Sequence, residues 1–192
     1  MLTLKELRSS ALTTEDVPQA MSVNIEDSAP ESENTFPPVS DTSCRTVLDT
    51  VEADDTTASV SSIFNWKDNI WPGTATLASY ADDGAERAFQ RLRKALKKCK
   101  SYSGVSNGGE YDAEVEVGKA PDIGDEAIAF RTVIPLKLSG EAEEALGGRE
   151  EIFVRTGTSI AVFSQVQSER KGNFPRQVIE EQIERLRKAQ RS

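Results

Sequence analysis

The groups able to do chemistry in this 192-residue sequence are carboxylates, cysteines and arginines, because it contains no histidine. That absence excludes Ser-His-Asp and Cys-His nucleophilic machinery, imidazole acid–base catalysis and nearly all zinc and non-haem iron sites. Asp112, Glu114 and Glu116 alternate with Ala113, Val115 and Val117. On a strand, alternate residues share one face about 7 Å apart. That spacing would serve a calcium site or an inverting glycosidase pair, and it serves equally an acidic strand face that is merely solvated. Cys44 and Cys99 form no CxxC pair, so a structural metal cluster is not expected. They read as a disulfide closing a loop of about 56 residues, a closure that stabilises a fold by roughly 4 kcal/mol. Two unrelated buried thiols are the alternative. No metal and no cofactor is expected.

Phe64, Trp66, Trp71 and Tyr80 surround one predicted hairpin. Aromatic side chains lining a cleft recognise apolar or sugar ligands, which makes Trp66, Trp71 and Tyr80 candidate contacts. Packing in the core and turn is the plainer reading. Arg131 and Arg155 each interrupt an apolar strand. They are candidates for holding a carboxylate or phosphate, or else they snorkel at a sheet edge. Arg87, Arg91, Arg93, Lys94, Lys97, Lys98 and Lys100 crowd one helix. They read as its solvated face, with attraction to an anionic lipid headgroup or wall polymer as the alternative.

The net charge of −9 is uneven: residues 1–83 carry 15 acidic against 4 basic side chains, whereas residues 84–192 carry 17 against 19. Gripping a phosphate backbone takes clustered cations and counterion release, so no nucleic-acid partner is expected. No stretch approaches the roughly 20 apolar residues that span a bilayer. No basic-then-apolar leader follows Met1, which leaves a cytosolic protein or one whose export signal has been removed.

Several elements must position these groups. Apolar residues at helical spacing predict helices over 3–12, 84–100 and from 173 onward, the last with a stripe of Val178, Ile179, Ile183, Leu186 and Ala189. A further helix over 41–50 would be capped by Asp41 or Ser43. Strands are expected over 20–25, 57–66, 74–80, 111–117 and 126–138, and a hairpin over 151–156 and 159–167 turns at Gly157-Thr158. Residues 26–40 read as a mobile acidic loop, 102–109 as a Gly/Ser loop and 139–149 as a Gly/Glu loop. Strands in succession with helices between and beyond them imply a single α+β domain spanning 1–192, an antiparallel sheet covered by helices on one face.

Four stretches carry a resemblance. Ala11-Leu12-Thr13-Thr14-Glu15-Asp16-Val17-Pro18, the helix over 85–99 ending in Cys99, Ile123-Gly124-Asp125-Glu126-Ala127, and Ile152-Phe153-Val154-Arg155-Thr156-Gly157 with Ile160-Ala161-Val162 are similar to motifs of the actinobacterial PknH-like extracellular domain family. That family comprises the sensor domain of a transmembrane Ser/Thr kinase and stand-alone lipoproteins. The resemblance implies an extracytoplasmic domain that binds or senses a ligand without catalysis, secreted or lipid-anchored to the cell envelope. The kinase sensor domain has two disulfides, and two cysteines supply one, which favours the stand-alone lipoprotein branch. The expected partner is a small molecule, lipid or envelope component. The alternatives are a carboxylate-based hydrolase of cell-wall glycans and a regulator that docks on another protein.

Overall fold

From Ile160 to Phe163 every residue is buried, with Ala161 and Phe163 in one hydrophobic layer and Ile160 and Val162 in another. Ile152, Phe153 and Val154 behave in the same way. Strands buried on both sides lie in the middle of a sheet and need a covering layer on each face. The computed structural model has this form and describes residues 1–27, 40–51, 56–106, 109–136, 145–168 and 173–191. The elements are α1 (Leu4–Ser10), a 3-10 turn (Thr14–Asp16), β1 (Ala20–Asp27), α2 (Thr42–Val51), β2 (Ala58–Trp66), β3 (Gly73–Ser79), α3 (Gly84–Leu96), β4 (Ser101–Ser106), β5 (Gly109–Val117), β6 (Glu126–Leu136), β7 (Ala145–Thr156), β8 (Ser159–Ser168) and α4 (Arg176–Gln190). The eight strands form one antiparallel sheet in the order β1-β2-β3-β8-β7-β6-β5-β4. Two meanders therefore meet at the β3–β8 pair, and the C-terminal hairpin occupies the centre.

The α+β class holds, but the helices cover both faces rather than one. On the first face α1 and α4 bury Leu7, Ile179, Ile183 and Leu186 against Phe64, Leu77 and Phe163. On the second, α2 and α3 bury Val47, Phe89, Leu92 and Leu96 against Phe153, Ile160 and Val162. An unbroken apolar run in the central hairpin is what requires the second layer.

Local signals explain most element boundaries. Thr3 and Glu6 form a capping box at the start of α1. Asp41 Oδ1 accepts the Cys44 N–H at 2.8 Å, the N-cap of α2. The helix over 84–100 stops at Leu96, and Cys99 follows with its N–H on the Ala95 carbonyl. β1 continues to Asp27, past the expected Ile25. Residues 28–39, most of the stretch read as an acidic loop, lie outside the described residues.

Two expected loops are strands. Residues 101–106 form β4, whose Ser and Gly content gave no strand signal; Gly104 pairs with Tyr111, and a Cβ at Gly104 would stand 2.6 Å from the Tyr111 hydroxyl. Glycine there lets a cross-strand aromatic ring lie against the backbone. Likewise β7 begins at Ala145, where backbone pairing with β6 supplies order that Gly147 and Gly148 do not advertise.

Two long-range ties hold the layers. Cys44 and Cys99 are joined, both fully buried, and link α2 to the end of α3. Gln182 of α4 is fully buried; its Oε1 accepts the Leu12 N–H at 3.1 Å and its Nε2 donates to the Ser10 carbonyl at 2.8 Å. It thereby satisfies the backbone groups where α1 ends. Replacing both cysteines by alanine should lower stability by about 3 kcal/mol in urea denaturation, the typical worth of such a loop closure. Gln182→Ala should cost about 2–4 kcal/mol in the same measurement, because it strands two buried backbone groups.

Candidate functional site

One row of cross-strand neighbours crosses most of the α1–α4 face. Phe64 pairs with Gly73, Gly73 with Gln165, Gln165 with Glu150, Glu150 with Arg131, and Arg131 with Glu116. Its first half is dry. The ring of Phe174, just ahead of α4, stands edge-on to Phe64 at 5.3 Å and to Trp66 at 5.4 Å. A Cβ on Gly73 would meet the Phe174 and Trp66 rings at 2.9 Å and Gln165 Oε1 at 2.8 Å. Glycine is thus what allows these groups to converge.

Gln165 is the polar centre of this half. Its Oε1 accepts the Trp66 indole N–H at 2.7 Å, and its Nε2 donates to the Trp71 carbonyl at 3.2 Å. The Trp71 N–H in turn rests on Asn69 Oδ1 at 2.9 Å. The β2–β3 turn is clamped through its backbone, yet its side chains point outward: Ile70 is 88% and Trp71 43% exposed.

The second half of the row opens into a cavity of about 360 Å³ lined by Glu116, Lys119, Ala129, Arg131, Glu150 and Asn173. Arg131 Nη2 donates to Glu116 at 2.6 Å. Glu150 Oε2 is buried and meets no hydrogen-bond partner among the described residues. Burial pushes the Glu150 carboxyl up, opposed by the Phe174 backbone N–H and the Arg131 charge. A buried carboxylate oxygen without a donor is costly, which together with the burial favours the protonated form of Glu150. Two larger grooves exist, about 520 Å³ beside Asp122 and Glu180 and about 600 Å³ between α1 and α4. Neither is lined by a buried polar side-chain atom that lacks a partner among the described residues.

Glu151, the next residue of β7, faces the opposite layer. It is 3% exposed, accepts the Ser164 hydroxyl and pairs with Arg149 at 2.9 Å. Desolvation nevertheless pushes its carboxyl up to about 7, and neighbouring Glu150 adds to the rise. Burial likewise raises the nearby Tyr102 phenol to about 12. A carboxyl whose proton is held more tightly when folded makes stability fall as pH rises from its unfolded value of about 4.5 to about 7. The total change is on the order of 3 kcal/mol. Glu151→Gln should flatten that decline in urea denaturation series between pH 4.5 and 8.

The residues singled out from sequence fall in three places. Trp66 and Trp71 are joined through Gln165, and Arg131 lies further along the same row. Tyr80 is buried in the α2–α3 layer beyond the far end of β3. Arg155 binds Glu126 at 2.9 Å and Asp125 at 3.4 Å, tying β7 to the start of β6. Among the three alternating carboxylates, Asp112 accepts the Ser103 hydroxyl, Glu116 holds Arg131 and Glu114 is exposed. On α3, Arg87 pairs with Asp83 and Arg93 with Glu126, and Arg93 also lies over the Phe89 ring. Among the described residues, no group of three or more His, Cys, Asp or Glu is placed to hold a metal ion. No helix there is long and apolar enough to cross a membrane. Glu150 and Gln165 were not anticipated; Gln165 offered a polar residue beside Val166 and near Phe163 inside an expected strand, whereas Glu150, between Arg149 and Glu151, offered no such signal.

No protein-family model matches the chain, and no curated protein matches it. Among solved structures, the extracellular domain of PknH from Mycobacterium tuberculosis is similar, at 15% sequence identity and a TM-score of 0.64, over 100% of this chain and 98% of that one. At that identity the likeness is one of architecture, and the chain shares the α+β fold of that extracellular domain.

Proposed function

We propose that this chain is a non-catalytic, sensor-type domain that binds a small polar ligand outside the cytoplasm, in the cavity beside Glu150. The observation that carries the reading is the cavity where Glu150, Arg131, Lys119 and Asn173 converge, with one Glu150 oxygen buried and unpartnered behind its wall. A concave site with a few convergent polar groups and a carboxyl displaced from its ordinary range is the usual form of a binding site. The likeness to an extracellular domain and the buried Cys44–Cys99 bond support an oxidising compartment. Under this reading the protein is secreted or lipid-anchored in a cell envelope of the actinobacterial type.

Screening a broad set of small polar metabolites by thermal shift tests the reading. A ligand at 100 times its Kd should add about 2.7 kcal/mol, or several degrees in Tm. That gain should disappear in Glu150→Gln and Arg131→Leu variants; a full panel without effect, or a gain retained in both variants, defeats the proposal. Protein recovered from the exterior of its native host should show no free thiol, whereas two free thiols would defeat the compartment.

Two other readings have distinct signatures. A protein-docking module is favoured by Ile70 and Trp71, which protrude from a turn whose backbone is clamped. Replacing both would then abolish partner binding and leave the ligand-induced Tm gain intact. A glycan hydrolase would draw its acid and base from Asp112, Glu114 and Glu116, of which Asp112 accepts the Ser103 hydroxyl and Glu116 holds Arg131; Glu114→Gln or Glu116→Gln would then abolish glycan cleavage.

A further inference from the structure

We infer that the exposed face of α3 is a docking surface for an extended polyol-phosphate polymer, seated on Lys94, Lys97, Lys98 and Lys100 and continuing along Arg91. This face belongs to the layer opposite α4 and does not depend on the Glu150 cavity.

Charge sets the face apart. Residues 84–100 carry seven cations against the single carboxylate of Glu86, a balance of +6 in a chain of −9, which leaves −15 on everything else. Two of the seven are engaged internally: Arg87 pairs with Asp83, and Arg93 pairs with Glu126 while lying over the Phe89 ring. Lys94, Lys97, Lys98 and Lys100 are exposed and form no ion pair among the described residues. Cations near a helix C-terminus complement its macrodipole, but that pole amounts to only about half a charge. Four lysines exceed it severalfold, and like charges three or four residues apart on a helix repel. An external polyanion relieves that repulsion.

Geometry gives the shape of the partner. The helical path continues past Leu96, because the Cys99 N–H donates to the Ala95 carbonyl. Arg91, Lys94 and Lys98 therefore form one row, with Lys97 beside Lys94, and neighbours at these intervals stand about 5–6 Å apart. The apolar side of α3 is buried from Ala85 to Leu96, and Cys99 is bonded to Cys44. The row is thus held from beneath and at its end. A three-carbon polyol phosphate carries one charge per six backbone bonds, at most about twice the 3.8 Å of the peptide's three-bond repeat. With modest slack, such a chain sets successive phosphates at the spacing of these lysines.

Two other polyanionic partners fit less well. A helix that lies in a bilayer carries Trp, Phe or Leu beneath its cations. None of the large apolar side chains exposed among the described residues belongs to α3. Single-stranded nucleic acid is gripped by stacking its bases on aromatic rings, and the one ring of α3, Phe89, is fully buried.

Fluorescence anisotropy of an end-labelled glycerol-phosphate octamer, titrated with the full chain, tests the inference. Binding should be saturable. Raising salt from 50 to 200 mM should weaken it about 50-fold, the dependence expected for about four neutralised phosphates on a single-stranded polyanion. Lys94→Gln/Lys98→Gln should weaken binding at least tenfold at low salt and reduce the salt effect to about sevenfold. Lys5→Gln/Lys67→Gln removes the same charge from exposed positions on other elements and should leave both values unchanged. The salt dependence is read on the parent chain, so it stands whether or not a variant folds. Absence of saturable binding, or an equal loss in both double variants, overturns the inference. So does tighter binding of oligothymidylate with the same number of phosphates, which assigns the face to single-stranded nucleic acid. Tighter binding to phosphatidylglycerol vesicles at equal accessible phosphate overturns it too, in favour of a bilayer.

Discussion

The architecture depends on a hairpin that is apolar on both of its faces. In β7 and β8, Phe153 and Val162 pair toward α3 while Ile152 and Phe163 pair toward α4. Neither set tolerates water, so each helical pair is required by one half of the same hairpin. Placing this hairpin at the centre of the sheet leaves β1 and β4 as edges. The edges carry the polar sequences, and local bonds already occupy part of them: the Val23 N–H rests on Thr14 Oγ1, and the Ser103 N–H on Ser40 Oγ. Such occupied edges offer little to a strand from another chain.

The cross-strand row follows from the same arrangement. The aromatic layer under α4 ends at Phe174, and next to Glu150 this face gives way to the cavity over Ala129 and Arg131. Glu150 stands at that boundary, between a buried glutamine and a half-buried arginine. One of its oxygens is buried and its proton is held above the usual carboxyl range, while the residue as a whole lines the cavity. The position of one aromatic ring thus decides where the cavity starts.

Much of this was legible in the sequence, where the signal is local. The 3.6-residue stripe from Ala85 to Leu96, the cap at Asp41 and the turn at Gly157-Thr158 each depend on neighbours a few residues away. The second helical layer was missed because an apolar run such as Ile152-Phe153-Val154 does not say how many faces are buried. β4 was missed because Ser101–Ser106 is held by its partner strand and not by propensity. Trp66 and Trp71 were noticed as aromatics, but Gln165, which connects them, comes from a strand 99 residues after Trp66. The row itself exists only if several strand registers are correct at once, since a slip of one residue sends a side chain to the other face. No property of Glu150 alone reveals Arg131 on one side of it and Gln165 on the other.

Glu150 and Glu151 share a peptide bond, yet they face opposite layers, and the charge of the first raises the proton affinity of the second. Strand β7 is here the thin dielectric of a capacitor with one carboxylate on each plate. That coupling is the weakest of the influences on Glu151, behind its own burial and the Arg149 and Ser164 contacts, and it crosses the strand through Coulomb's law alone. No hinge turns and no strand slides for this to happen. The sheet thus separates the two carboxyls in packing and in solvent, and leaves only charge in common between them.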